Sequence, residues 1–252
     1  MHKELKQQID THLNFLKLKH MGLVYESLSK KAAESKLGYD EYLALLLDEE
    51  VSKKQERSRE RRISKAKFPF GKSIEQFDFS FQPSLNEKEV IHLSGLDFIT
   101  QKHNIILLGP PGVGKTHLAV AFAVKACFAR LRVEFKSTQD LIADLSLAEK
   151  EGHLLERLLF YSRLHLLVID ELGYMPISNQ EANLLFQLIS MRYEKGAIIL
   201  TSNFNFDEWG RFFQDSVVAA AIIDRLVHHA HVFFINGSSY RIKNKIKKAT
   251  ST

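Results

Sequence analysis

The sequence predicts an α/β fold in which helices flank a five-stranded parallel sheet and a small all-helical module comes first. From residue 88 onward, short continuous apolar runs alternate with helical patterns, which is typical of a doubly wound sheet. A glycine-rich loop joins one such run, 104–108, to the helical pattern of 117–129. The first 67 residues show helical periodicity only. Ligands of such a sheet bind at the carboxyl ends of its strands.

The N-terminal module is expected to contain three helices. They cover residues 2–19, residues 24–35 and a segment that begins near Tyr39, with Gly22 and Gly38 as stops between them. A module of this size buries little apolar surface and needs a partner surface. We therefore predict a basic module at 1–67 that binds DNA or a partner protein.

The third helix continues into a strongly basic stretch at 53–67, which carries eight positive and two negative side chains. A solvated helix face would explain it, but the scarcity of acids favours contact with nucleic-acid phosphates. Residues 68–240 carry 15 Lys/Arg against 19 Asp/Glu, whereas 241–248 carry five against none. The predicted DNA-binding residues are Lys53, Lys54, Arg57, Arg59, Arg61, Arg62, Lys65, Lys243 and Lys245.

Residues 68–86 are predicted to form a linker strap. The sequence Phe68-Pro-Phe-Gly71 breaks the preceding helix, and Phe77, Phe79 and Phe81 recur with a period of two. That period predicts an extended segment packed on the core or bordering a bound adenine. The ATPase domain is then expected at 87–252, with a basic tail.

Five apolar runs predict the strands of the sheet: 104–108, 132–136, 166–169, 197–203 and 231–235. Helical patterns lie between them at 117–129, 137–147, 153–161, 179–194 and 217–229, and another at 88–100 precedes the first strand. Continuous apolar runs of this length indicate strands that are buried on both faces.

The loop Gly109-Pro-Pro-Gly-Val-Gly-Lys-Thr116 has the spacing and the strand-to-helix context of a phosphate-binding P-loop. Its glycines let backbone N–H groups turn toward a phosphate, and the helix N-terminus adds further donors. Lys115 is expected to reach the β- and γ-phosphates, and Thr116 to complete a Mg²⁺ shell. The predicted ATP-binding residues are Gly109, Pro110, Pro111, Gly112, Val113, Gly114, Lys115, Thr116 and His117.

Polar residues at two other strand ends suit ATP hydrolysis. Asp170 is expected to hold Mg²⁺, and Glu171 to orient or deprotonate the attacking water. Asn203 is expected to hold the water or the γ-phosphate from the other side, although an Asn in a strand-end turn is common. Arg225 is either an arginine finger for a neighbouring subunit or the partner of Asp224 in an ordinary salt bridge.

Other residues carry weaker signals. The single Cys127 lies on an apolar helix face, which predicts core packing. His228, His229 and His231 do not predict a metal site, because no cysteine or carboxylate cluster completes the set and adjacent histidines at a helix-to-strand junction are expected to point different ways. With no apolar run of bilayer length and no signal-peptide core, we expect the cytoplasm.

Several motifs occur in a characteristic order: the P-loop followed by His117, Val168-Ile-Asp-Glu-Leu-Gly173, Thr201-Ser-Asn203, the stretch 224–229 and Ser239-Tyr-Arg241. In these, nearly over its whole length, the chain resembles the IstB transposition helpers of insertion sequences and, more distantly, the helicase loader DnaC. Both groups are AAA+ ATPases.

The resemblance implies roles for named residues. Lys115 and Thr116 would form Walker A, Asp170 and Glu171 Walker B, Asn203 sensor 1, Arg225 the arginine finger and Arg241 sensor 2. Only eleven residues follow Arg241, which is too few for a C-terminal helical lid, so the strap or a neighbouring subunit is expected to cover the adenine.

The function implied is that of a homo-oligomeric, ATP-hydrolysing transposition helper. Its ATP and Mg²⁺ sites would lie between subunits, and it would assemble on duplex DNA, recruit and regulate a transposase, and then release. The alternative is a helicase loader that binds single-stranded DNA. A scaffold that binds ATP without hydrolysing it is disfavoured by Asp170, Glu171 and Arg225 together.

Overall fold

The computed structural model of the chain describes residues 2–241. Internal contacts divide it after Arg61 into an N-terminal unit and a larger C-terminal unit. The predicted functional division into 1–67, 68–86 and 87–252 stays a prediction. Lys243 and Lys245 lie outside the described residues.

The N-terminal unit is helical, as its periodicity predicts. Its helices are α1 (His2–Phe15), α2 (Lys19–Glu34) and the first part of α3 (Tyr39–Ala66). The predicted helix 2–19 is interrupted at Lys17, which has a positive φ of 59°. The predicted stop at Gly22 is wrong, because Gly22 lies within α2. Within the unit, the buried Glu50 carboxylate accepts a hydrogen bond of 2.7 Å from the Met21 amide, which ties α3 to α2.

The strap differs from the extended segment that its period of two predicts. It contains two short 3₁₀ helices, Ile74–Gln76 and Phe79–Phe81. Asp78 begins the second by accepting a hydrogen bond of 3.2 Å from the Phe81 amide, a local cap that the aromatic pattern does not reveal. Phe77 is buried between them. The strap packs on the core, as predicted.

Within the described residues, the C-terminal unit has one sheet of five strands, and every strand pairing in it is parallel. The strands are β1 (Asn104–Leu108), β2 (Val133–Ser137), β3 (Leu166–Leu172), β4 (Ala197–Ser202) and β5 (Ala230–Phe234). Their spatial order is β2-β3-β4-β1-β5. The P-loop strand β1 therefore lies between β4 and β5, and β3 lies on the other side of β4.

Helices cover both faces of this sheet. They are α4 (Glu87–Leu93), α5 (Asp97–Thr100), α6 (Lys115–Phe128), α7 (Thr138–Lys150), α8 (Leu154–Ser162), α9 (Asn179–Arg192), α10 (Trp209–Phe213) and α11 (Ser216–Val227). The single helix predicted at 88–100 is two helices, because Leu96 takes a left-handed φ of 71° between them. No helix within residues 2–241 has both the length and the apolar character needed to cross a bilayer.

Alternating side chains of β1 serve two separate cores. Ile105 and Leu107 pack with α4, α5 and α6 on one face, whereas Ile106 and Leu108 pack with α7 to α11 on the other. Cys127 is buried in the first core, as predicted, and its burial raises the pKa of the thiol to about 11. Burial on both faces explains why the strands appear in the sequence as continuous apolar runs.

Candidate functional site

The P-loop connects β1 to α6 by a turn that only glycine fits at two positions. Gly112 has φ +86°, and a Cβ there would lie 2.2 Å from Ser239 Oγ. Gly114 has φ +105°, and a Cβ there would lie 2.5 Å from the Phe77 ring. The loop is therefore packed against the strap on one side and the segment after β5 on the other. The Tyr240 amide donates a hydrogen bond of 3.0 Å to the Gly112 carbonyl on that second side.

Lys115 begins α6 and folds back over the loop. Its Nζ donates hydrogen bonds to the carbonyls of Gly109 (2.6 Å) and Pro110 (2.9 Å) and to Asn203 Oδ1 (2.7 Å). Burial lowers the pKa of Lys115 to about 8, with a further contribution from the positive charge of Arg241. All three acceptors are neutral, so they leave the ammonium charge available for an anion.

Asp170 lies beside Thr116, which is the pairing that a Mg²⁺ site needs. The Thr116 hydroxyl donates to Asp170 Oδ1 at 3.0 Å, and the Thr201 hydroxyl donates to the same oxygen at 2.6 Å. Burial raises the pKa of Asp170, and these hydrogen bonds oppose that rise. A carboxylate and a hydroxyl are hard oxygen ligands of the kind that Mg²⁺ prefers, so this pair fits the ion.

Glu171 is held in an unusual backbone conformation. Its φ is +60°, and the pairing of β3 with β4 shifts register between Ile169 and Leu172. Its amide donates a hydrogen bond of 2.9 Å to Thr201 Oγ1. The irregularity exposes Glu171 while Asp170 and Leu172 stay buried. Left-handed conformations of non-glycine residues persist only where their surroundings impose them, often at functional sites.

The sequence did not predict Thr201 as a site residue. Its hydroxyl donates to Asp170 and accepts from the Glu171 amide, so one buried side chain positions both acids. The signal was its place near the end of β4, the strand next to β3. A threonine in an apolar strand is otherwise typical of ordinary packing.

A cavity of about 340 Å³ lies over the P-loop. It brings together Lys115, Thr116, Glu171, Asn203 and Arg241. The strap and the segment after β5 supply its other walls, through Phe70, Lys72, Gln76, Phe77, Asp78, Phe81, Gln82 and Tyr240. Phe81 and Tyr240 are in edge contact, with ring centroids 5.3 Å apart. The strap lines this cavity, and the alternative that it borders a bound adenine stays a prediction.

His117 joins α6 to the strap. Its Nε2 lies 2.8 Å from the Ser73 carbonyl oxygen, and its ring meets the edge of Phe77 at 5.3 Å. Burial lowers the pKa of His117. A neutral imidazole that donates from Nε2 to this carbonyl fits these surroundings. His117, which directly follows Lys115 and Thr116 in α6, therefore holds the strap in its place as a wall of the cavity.

The two predicted arginines lie in different places. Arg241 lines the P-loop cavity and a wider adjoining cavity of about 750 Å³, which also contacts Asp170 and Glu171. Arg225 does not line the P-loop cavity. Its Nη1 donates to the Ala221 carbonyl at 3.1 Å, and its guanidinium lies 4.7 Å from the Phe186 ring centroid. It lines a small cavity together with residues at or just before the starts of β1 and β5. This cavity lies at the amino ends of the parallel strands, whereas the P-loop lies at their carboxyl ends.

The predicted DNA-binding residues within the described chain lie on α3. Arg61 and Lys65 are exposed, but Lys53 pairs with Glu56 and Lys54 lies 3.7 Å from Glu50. Arg62, in the C-terminal unit, donates a hydrogen bond of 2.9 Å to the Cys127 carbonyl near the end of α6. Their contact with DNA stays a prediction.

Comparison with known proteins gives a match at residues 11–248 to the family described as IstB-like ATP-binding proteins. The chain is similar to the ATP-binding protein of insertion sequence IS21 from Pseudomonas aeruginosa, with 45% identity over 97% of this chain and 92% of that protein. It is also similar to the ATP-binding protein of insertion sequence IS232 from Bacillus thuringiensis subsp. berliner, with 41% identity over 98% of each.

Among solved structures, the chain is similar to the DnaC helicase loader. The TM-score is 0.51 and the identity 24%, over 65% of this chain and 96% of that one. At this identity the likeness shows a shared fold. The prediction of an α/β fold with a five-stranded parallel sheet flanked by helices is confirmed.

Proposed function

We propose, from the premise that this chain belongs to the family of IstB-like ATP-binding proteins, that it is the ATP-dependent helper of an insertion sequence. The chain is an AAA+ P-loop ATPase. In the proposed function, it assembles on duplex DNA in the ATP state, presents that DNA to the transposase, and leaves after hydrolysis.

One observation carries this proposal over a helicase loader. The likeness to an insertion-sequence protein reaches 45% identity over 97% of the chain and so includes the N-terminal unit, whereas the solved DnaC loader is 24% identical. Proteins that share a fold differ in function through the sites that are added to that fold. An N-terminal unit shared with insertion-sequence proteins therefore supports a partner of that class.

The geometry supports a mechanism of hydrolysis in which each site residue has a separate role. The P-loop amides and Lys115 would hold the β- and γ-phosphates once Lys115 exchanges its neutral acceptors for phosphate oxygens. Mg²⁺, held by Thr116 and Asp170, would neutralise charge on the phosphates. The Glu171 carboxylate would accept a proton from the water that attacks the γ-phosphorus, while the bond from that phosphorus to the β,γ-bridging oxygen breaks and ADP leaves. Asn203 would orient the same water.

The position of Arg225 supports a site shared between subunits. Because it does not line the P-loop cavity of its own chain, it cannot stabilise the charge that develops on its own γ-phosphate. An arginine supplied by a neighbouring subunit would meet that need, as arginine fingers do in trans. In this arrangement ATP binding and oligomer assembly are coupled, since each nucleotide would contact two chains. The basic residues of α3 would then follow DNA phosphates without reading sequence.

Analytical ultracentrifugation of the full chain with duplex DNA, in ATP and in ADP, tests the proposal. We expect a large DNA-bound assembly only with ATP, and we expect Arg225→Ala to abolish it. Arg163→Ala, which removes an exposed arginine at the end of α8, is the matched control and should assemble normally. If the protein stays small on duplex DNA with ATP but binds single strands or a replicative helicase, the loader function replaces this one.

A further inference from the structure

Three potential metal ligands converge at the edge of the sheet opposite the P-loop. One ligand atom from each of Glu194, His228 and His229 lies within 4.8 Å of the others. The distance from His229 Nε2 to Glu194 Oε1 is 3.5 Å. Ligands of a tetrahedral Zn²⁺ are separated by about 3.4 Å when each bond is about 2.1 Å long. His229 and Glu194 therefore already have the ligand-to-ligand spacing of a Zn²⁺ site, and rotation of exposed side chains can bring in His228, the third ligand.

The fold decides this convergence. Only His228 and His229 separate the end of α11 from the start of β5, and Glu194 follows α9. The two imidazole rings have centroids 4.2 Å apart, so the expectation that adjacent histidines point different ways is wrong. The carboxylate of the cluster comes from Glu194, which lies 34 residues before His228 in the sequence.

The surrounding structure anchors the backbone that carries the two histidines. The side-chain amide of Asn104 donates a hydrogen bond of 2.9 Å to the Leu226 carbonyl, and its backbone N–H donates one of 2.7 Å to the His229 carbonyl. The His103 ring stacks on the His229 ring with centroids 5.3 Å apart and planes 8° from parallel. The end of α11 is thus anchored on β1 before any ion binds.

Tyr193 supplies the outer contact that metal-binding histidines need. Its hydroxyl oxygen lies 2.7 Å from His228 Nδ1. If Nε2 of His228 binds a metal, Nδ1 carries the proton and donates it to this oxygen. A hydrogen bond of that kind fixes the tautomer and the ring orientation of a metal ligand.

We propose that Glu194, His228 and His229 form a site for a transition-metal dication, with Zn²⁺ as the probe. Two imidazoles and a carboxylate match the ligand preferences of Zn²⁺, and the fourth position would take a water molecule. The bound ion would tie the C-terminal end of α11, the helix of Arg225, to the segment after α9. This inference does not depend on the proposed role in transposition.

Nearby positive charges oppose the binding of a metal cation at this site. Arg225 and Lys102 line the same small cavity as Glu194 and His229. Their charges disfavour a dication, whereas Glu194 favours it. The coordinate bonds must exceed this repulsion, so absence of Zn²⁺ binding by the wild type would overturn the proposal.

Calorimetric titration of the untagged full chain with Zn²⁺, in excess Mg²⁺, tests the proposal. We expect one tight Zn²⁺ per chain, and a loss of more than about 10-fold in affinity for His229→Ala and Glu194→Gln, because removing a ligand costs more than removing an outer contact. Tyr193→Phe keeps all three ligands and should cost about 10-fold. As a second readout, Zn²⁺ should raise the Tm of the wild type and not that of His229→Ala.

His153→Ala is the matched control. His153 Nδ1 also lies beside a carboxylate, 3.6 Å from Glu151 Oε2, and His153 is not part of the three-ligand cluster. This variant should bind Zn²⁺ like the wild type. Equal affinity in the wild type and His229→Ala would overturn the proposal, as would equal losses in His229→Ala and His153→Ala.

Discussion

Lys115 Nζ donates a hydrogen bond of 2.7 Å to Asn203 Oδ1, which joins the P-loop to the end of β4. Phosphate binding by Lys115 requires it to exchange this contact and those to the loop carbonyls for phosphate oxygens. Nucleotide binding would therefore release Asn203. The contact links occupancy of the P-loop to the position of the amide that we propose orients the attacking water.

Replacing Asn203 by Asp tests this exchange. A carboxylate at this position would hold Lys115 by charge and repel the γ-phosphate, so ATP affinity should fall by about 10-fold or more. Asn203→Ala removes the contact without adding charge and should bind ATP about as well as the wild type while hydrolysing it more slowly. Fluorescent-nucleotide titration measures both affinities, and equal affinities for the Asp and Ala variants would contradict this account.

The lowered pKa of Lys115 predicts proton uptake on ATP binding. Burial holds this pKa at about 8 in the free protein, so about half of the Lys115 side chains are neutral at pH 8. Bound phosphates favour the charged form and raise the pKa, so binding at pH 8 should take up about half a proton. ATP affinity should then decrease as the pH rises from 7 to about 9.

Calorimetry in buffers of different ionisation enthalpy measures that uptake. At pH 6.5 Lys115 is charged before and after binding, so its contribution should vanish there. A proton count that is the same at pH 6.5 and pH 8 would show that Lys115 does not titrate in this range.

Replacing Glu171 by Gln should separate ATP binding from hydrolysis. The amide keeps the size of the side chain but cannot accept the proton of the attacking water, so turnover should fall by at least about 100-fold. ATP affinity should change little, because Asp170 and Thr116 are untouched. Single-turnover hydrolysis and nucleotide titration are the measurements, and normal turnover would remove Glu171 from the proposed mechanism.

A pair of glycine variants tests the packing of the strap on the P-loop. Gly114 (φ +105°) and Gly152 (φ +77°) both adopt positive φ, but a Cβ at Gly152 would contact nothing within 4 Å. Gly152→Ala should therefore cost only the backbone strain, about 1 kcal/mol of unfolding free energy. Gly114→Ala also pushes against Phe77, so it should cost more and weaken ATP binding. Denaturant unfolding compares the two, and equal costs would argue against tight strap packing.

The basic face of α3 predicts salt-dependent DNA binding. If Arg57 and Arg61 each contact a phosphate, the double Ala variant should lower the slope of log affinity against log salt by about 2. The same double change at Lys30 and Lys31 of α2 is the matched control. An unchanged slope for the α3 variant would place the DNA on another surface.

Most of the fold could be predicted because its signals are local. The strand β1 occupies the predicted residues 104–108. Strands β3 and β4 begin at their predicted residues, and they end three residues after and one residue before their predicted ends. Continuous apolar runs and the P-loop spacing depend on neighbours in the chain. The strap was predicted less well, because a cap at Asp78 overrides the period of Phe77, Phe79 and Phe81.

The sequence also placed Lys115, Thr116, Asp170, Glu171 and Asn203 at strand ends that meet at one edge of the sheet. Their roles in hydrolysis and the role of Arg241 stay predictions, although all six side chains lie around the two adjoining cavities. The sequence did not reveal Thr201, because only the pairing of β3 with β4 brings its hydroxyl to both acids.

By itself, the sequence determined the fold class, the P-loop and the identity of the residues at the carboxyl edge of the sheet. These follow from periodicity and short-range spacing. The tertiary structure decided what lies between distant segments: the strap that walls the cavity, the separation of Arg225 from its own P-loop, and the meeting of Glu194 with His228 and His229. Such contacts depend on strand order and helix ends, which local sequence patterns do not encode.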